Sequence, residues 1–368
     1  VKWIALLLLV VAAGCKTPDI DIGPIIDAYT NSLPDAPVVT NDAPVTPPTV
    51  TPGLIAAGSF VRPAIALGPD GTLYVAAEGP GMASVHLYTG KAGKWAGGQI
   101  VAASKDTAGR CYVPDVVPGI TSWRWGKKEY GKLHGPGLYA DGKVVYPGLT
   151  VGAARLAQDG AKTYLLTKNG VWGQIGAQGN VEASGTFPVG NSGEKFAFDI
   201  YKGRWAVAIN GYSAQASSLT VGTVAGGKRY TWADHGAYPE QGDDLCYPSV
   251  AQDRDGTIYC GSVYSGQFRI NAFRGAAMVH PVTQLPSMGA ASMLDRCPPR
   301  LLRGPDDAVW AIWQQGKAIV AGSVKRLLSG GQAARIATGE YPDAVWTGAA
   351  FAVVYAADGG LRITDYKH

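Results

Sequence analysis

A seven-bladed β-propeller is the all-β fold this sequence predicts, and three observations predict it. One hairpin pattern recurs seven times, at intervals of about 42 to 51 residues. Charged residues make up only 16% of the 368-residue chain while glycine reaches 50, a composition of short strands and tight turns. After residue 53 no amphipathic helix of useful length can be traced. Six or eight blades are the alternative counts for the same pattern.

The chain opens with VKWIALLLLVVAAGC: one cation, Lys2, an apolar run from Trp3 to Ala13, then small residues before Cys15. That run is too short to cross a bilayer as a helix and has the length of a signal-peptide core. Its end, AAGC, resembles the lipobox of bacterial lipoproteins, which implies lipidation of Cys15. Ala12 stands where that motif usually carries leucine, and an ordinary secretory signal cut elsewhere is the alternative. The expected address is the bacterial cell envelope, lipid-anchored at the outer membrane or cell surface.

Residues 16–53 read as a tether. Eight prolines among many Asp, Thr and Asn residues favour extended polyproline II over packing. Three parts are therefore expected: a signal peptide over 1–15, a linker over 16–53 and a propeller over 54–368. Charge divides along the same line. Residues 1–53 carry −3, and the remainder, with 30 basic against 23 acidic residues, carries +7. That excess suits an anionic partner, but no Lys/Arg run marks a nucleic-acid binder.

The repeat is a proline near the start of an apolar run, an Asp/Gly turn and a second apolar run. It reads VRPAIALGPDGTLYVAAEG from Val61, CYPSVAQDRDGTIYCGSV from Cys246, CPPRLLRGPDDAVWAIWQQ from Cys297 and YPDAVWTGAAFAVVYAADG from Tyr341. A Pro-Gly variant starts at Cys111, and copies without the proline start at Ala153 and Lys195. Each is a β-hairpin by its turn residues, and the seven begin near 62, 112, 154, 196, 247, 298 and 341. The last copy has room for only two or three strands before His368. A strand from GLIAAGSF, residues 53–60, is expected to complete that blade and close the ring.

CYPSVAQDRDGTIY and RPAIALGPDGTLYV resemble the BNR/sialidase-like propellers. The strict Asp-box of that superfamily, Ser-x-Asp-x-Gly-x-x-Trp, is absent from every copy. The resemblance implies a ring that binds or cleaves glycans, an inference by analogy of fold.

In a four-stranded blade, the loops leading into the innermost strand and those joining the second strand to the third share one face. The repeat places Arg62, Arg155, Tyr247 and Arg300 at inner-strand starts there, and Arg124, Trp125, Lys127, Lys128, His134 and Tyr264 around the second-strand ends. Arginine forks suit carboxylate or sulfate and aromatic faces suit sugar rings, so these ten are the candidate ligand contacts. Trp123 and Trp125 fall on one face of their strand, and packing between blades is the alternative role for both. The loop 232–248 brings Asp243 and Asp244 as Ca²⁺ candidates; no other cofactor is expected, and no His-x-x-x-His spacing marks zinc. The Asp residues of GPDG, DRDG and GPDD read as turn formers. Cys246 and Cys297 head neighbouring blades and are a candidate disulfide in an exported chain.

Three functions fit. The first is a monomeric surface lipoprotein whose propeller mouth binds a glycan or other surface polymer without catalysis. The second is a polysaccharide lyase or glycoside hydrolase on an acidic polysaccharide, with Glu78 and Glu129 the one loosely placed carboxylate pair. The third is a scaffold that binds an envelope protein.

Overall fold

The structure, a computed structural model, describes residues 52–80, 84–91, 93–103, 110–126, 133–145, 147–149, 154–167, 169–189, 196–209, 218–231, 248–264, 267–274, 277–285 and 299–368. Only the backbone is described at 102–103, 110–113, 124–126, 133–136, 218, 229–231, 262–264, 267 and 281–284. Residues 46–368 cluster as one compact unit.

Among the described residues, 28 strands form seven antiparallel four-stranded sheets. The first strand, β1 (Gly53–Ala57), belongs to the last blade. Blade 1 is β2 (Val61–Leu67), β3 (Leu73–Glu78), β4 (Ser84–Lys91) and β5 (Lys94–Ala103). Blade 2 is β6 (Arg110–Val117), β7 (Ile120–Gly126), β8 (Leu133–Ala140) and β9 (Lys143–Val145). Blade 3 is β10 (Ala154–Asp159), β11 (Lys162–Thr167), β12 (Val171–Ile175) and β13 (Val181–Thr186). Blade 4 is β14 (Phe196–Tyr201), β15 (Arg204–Ile209), β16 (Ser218–Thr223) and β17 (Gly226–Thr231). Blade 5 is β18 (Ser249–Gln252), β19 (Ile258–Tyr264), β20 (Gln267–Arg274) and β21 (Ala277–Gln284). Blade 6 is β22 (Arg300–Arg303), β23 (Val309–Gln315), β24 (Ala318–Ser323) and β25 (Ala334–Thr338), with the short helix α1 (Val324–Leu328) between the last two. Blade 7 is β26 (Glu340–Trp346), β27 (Phe351–Ala357) and β28 (Gly360–Tyr366), completed by β1.

The expected closure is therefore present. β1 pairs antiparallel with β28, from Gly53 opposite Ile363 to Ala57 opposite Gly360. The inner strands start at 61, 110, 154, 196, 249, 300 and 340, each within two residues of the position the repeat predicts.

Second strands are apolar without alternation because a neighbouring blade covers each face. Val75, Ala76 and Ala77, then Ala206, Val207 and Ala208, then Ala352, Val353 and Val354 are all fully buried. The buried apolar side chains fall into seven clusters, each straddling one pair of adjacent blades, the 7–1 seam included. Trp123 belongs to one of them: 4% exposed, it packs between blades 1 and 2 and lies across Gly137. Its role is packing.

Two sequence signals have a local cause. The Asp of GPDG, Asp70, accepts from the backbone N–H of Thr72 at 3.1 Å and from its hydroxyl at 2.7 Å. These bonds hold its carboxyl down at about 2. Gly71, which follows it, takes φ 82, a left-handed turn position open to glycine. The proline of the repeat marks a bulge: register slips between Val61 and Ala64, between Tyr112 and Asp115 and between Glu340 and Asp343. Proline has no N–H to give the ladder, so it sits where the ladder is broken.

Candidate ligand site in the axial channel

An inner strand of a propeller blade is a sheet edge, and unpaired backbone groups of such edges need partners. Here the next blade meets side chains that supply them. Asp343 Oδ2 accepts from Ile65 N at 2.9 Å across the 7–1 seam, and Asp115 Oδ2 accepts from Leu156 N at 2.9 Å. Asp199 Oδ2 accepts from Gln252 N at 3.0 Å, and Ser249 Oγ from Leu301 N at 2.7 Å.

These strands enclose an axial cavity of about 460 Å³, within the range of small-molecule sites. Four arginines line it: Arg62, Arg155, Arg300 and Arg303, set against Asp115, Asp199 and Asp343. Each arginine is braced by the protein. Arg62 Nη1 pairs with Glu78 Oε1 at 3.1 Å, and Arg300 Nε with Asp343 Oδ1 at 3.0 Å. Arg155 Nε donates to Phe196 O at 3.2 Å. Arg303 reaches from blade 6 to blade 4, donating to Asp199 Oδ2 at 2.7 Å and Ile200 O at 3.2 Å, with its guanidinium over the Tyr201 ring.

Burial pushes the Asp115 carboxyl up; Arg155 and the Leu156 N–H pull it back down, and Asp343 adds to the rise. Arg300 keeps 47% of its side chain exposed while its Nε is engaged. A braced guanidinium with donors to spare is suited to a carboxylate, a sulfate or a hydroxyl-rich ring. Arg62 and Tyr341, each just before a proline, hold left-handed backbones at φ 47 and 56 at the same end of the channel. Strain of that kind, of order 1–3 kcal/mol per residue, persists where the surroundings enforce it.

Of the candidate contacts read from sequence, Arg62, Arg155 and Arg300 line this cavity. Arg124 and Trp125 lie on β7, His134 on β8 and Tyr264 on β19, with only the backbone described; Trp125 and His134 are register partners. Lys127, Lys128, Tyr247, the Ca²⁺ candidates Asp243 and Asp244, the disulfide candidates Cys246 and Cys297, and Cys15 lie outside the described residues. Cys260 is a free, buried thiol, pushed well up by its burial. Glu78 does not serve as an open carboxylate, because it is fully buried against Arg62. Among the described residues no group of three or more His, Cys, Asp and Glu could hold a metal ion.

Sequence reasoning missed Asp115, Asp199, Asp343 and Arg303. The signal was present in part: Pro-Asp recurs at one repeat position, as Pro114-Asp115 and Pro342-Asp343, with Pro248-Ser249 as its neutral equivalent. Asp199 follows Phe198 instead, and nothing local marks Arg303.

No protein-family model and no curated protein matches the chain. Solved structures do match in fold. A catalytically inactive virginiamycin B lyase from Staphylococcus aureus, with quinupristin, gives a TM-score of 0.53 at 10% identity, over 85% of this chain and 98% of that one. An α-L-arabinanase from Penicillium chrysogenum, complexed with arabinobiose, gives 0.51 at 14% identity, over 86% and 98%. The hydrazine synthase of Kuenenia stuttgartiensis gives 0.53 at 12% identity, over 85% and 98%. The ring fold is what these chains share. At such identities the likeness carries no ligand and no reaction.

Proposed function

We propose that the axial channel binds an anionic or polyhydroxylated ligand, a glycan or other surface polymer, without catalysis, on a lipoprotein of the cell envelope. The observation that carries this reading is the convergence of Arg62, Arg155 and Arg300, from three separate blades, on one cavity. Braced guanidinia lose little further freedom on binding, so their charge-assisted hydrogen bonds go mostly into affinity. The aspartates between them already hold backbone N–H groups, which suits a wall better than a reacting pair. Export and the anchor at Cys15 rest on the N-terminal segment alone.

One observation favours a second reading, a lyase or hydrolase acting on an acidic polysaccharide. Burial pushes Asp115 toward its neutral form, the form a general acid needs, and Asp343 pairs with the Arg300 guanidinium in the same cavity.

A glycan array with product detection tests both. The expected result is binding to acidic glycans, weaker by roughly tenfold in Arg155→Gln and in Arg300→Gln, with no product. Product formed from a bound polysaccharide would replace the first reading by the second. Failure to bind any glycan would remove both. The mass of the mature N-terminus, compared between wild type and Cys15→Ser, tests the anchor separately.

A further inference from the structure

The opposite end of the ring, where the first hairpin turns lie, carries a second concentration of rings between blades 6 and 7. Trp310 is the second residue of β23, Trp346 ends β26 and Tyr366 ends β28. Buried Phe351 forms their floor, its ring centre 5.2 Å from Trp310 and 4.9 Å from Trp346. Above it the two indoles stay only partly buried, and Gly304 leaves room for the Trp310 ring. His368 is exposed, yet its imidazole stands edge-on to both indoles, 5.6 Å from Trp310 and 5.8 Å from Trp346, at 77° to each.

One imidazole thus contacts two indoles at once. Packing alone explains Phe351, which is fully buried; it does not explain an exposed imidazole held by two partly buried indoles. The rim is basic. Arg326 of α1 acts on Tyr366, whose hydroxyl is pushed up by burial and pulled back by that charge, and Lys367 precedes the imidazole on the exposed side.

We propose that Trp310 and Trp346 form a second ligand site, a slot for the ring of an acidic sugar, with His368 as its built-in competitor. Indole faces take the C–H edges of a pyranose as they take the imidazole edge, and Arg326 and Lys367 favour a carboxylate on that ring. Trp346 also lines the axial cavity, so the slot adjoins the channel; the proposal does not rest on the reading given to the channel.

The test is ¹⁵N NMR of the indole N–H signals in the full chain, titrated with methyl β-glucuronide and with methyl β-glucoside. The glucuronide is expected to shift the Trp310 and Trp346 signals. Its apparent Kd is expected to fall by roughly five- to tenfold in His368→Ala, the equivalent of one aromatic contact, and to return in His368→Phe. The neutral glucoside should bind more weakly, and Arg300→Gln should change nothing. Absence of shifts at both indoles in His368→Ala would overturn the proposal. Equal affinity in wild type and His368→Ala would overturn the competitor role and with it the proposal as stated.

Discussion

Asp115 shows what a single carboxylate does when a channel wall surrounds it. It accepts from its neighbour Val116 N at 3.0 Å and from Leu156 N at 2.9 Å, yet loss of water outweighs those bonds and Arg155 together. Its folded value therefore lies above its unfolded one. The folded chain keeps a proton that the unfolded chain releases, so this contribution to stability is present below the ordinary carboxylate range and declines as pH rises through Asp115's raised value. Asp70 has the opposite sign: its contribution is lost as pH falls toward its value of about 2. Thermal melts across pH 4 to 7 are expected to show Asp115→Asn flattening the decline, while removing one acceptor costs about 1 kcal/mol at low pH. An unchanged pH slope in that variant would place the titration elsewhere.

At the scale of the element, β1 decides whether blade 7 is a blade. Without it β28 becomes an open edge, and Leu361 and Ile363, both nearly fully buried, sit on that strand. Four residue pairs join β1 to β28. At about 1 kcal/mol for each of about four backbone bonds, removal of residues 1–57 is expected to lower Tm by roughly 6 °C. Calorimetry checks the loss, and a synthetic peptide covering 52–60 should restore it in trans. A shortened chain that melts like the full one would show that the seam holds through Asp343 and the inter-blade cores alone.

Across the whole molecule, stability resides in interfaces rather than in blades. Each apolar cluster belongs to two neighbours, so no blade has a core of its own. Trp205, 1% exposed, joins four rings: its own meets Tyr164, Trp172, Phe187 and Phe198 at the 3–4 boundary, with centres 5.0 to 5.6 Å away. Trp205→Ala is expected to cost about 3–5 kcal/mol and still to unfold the ring in one transition. Coincident far-UV dichroism and fluorescence curves in urea are the check. Separate transitions would mean that blades 3 and 4 can open alone.

The number of blades, their boundaries and the closing strand were legible in the sequence because each rests on short-range chemistry. Gly and Asp make the turns, proline marks the bulge, and apolar runs of strand length repeat at one period. The place of Arg62, Arg155 and Arg300 at the channel was legible for the same reason, as fixed positions within that repeat. Trp123 was not: alternation gives the face of a strand, and only the neighbouring blade decides whether that face is covered. Nor could any local rule pair Arg303 with Asp199, 104 positions earlier, or set His368 between Trp310 and Trp346. Such contacts exist because ring closure brings distant strands to one axis and one seam, and that geometry belongs to the folded chain.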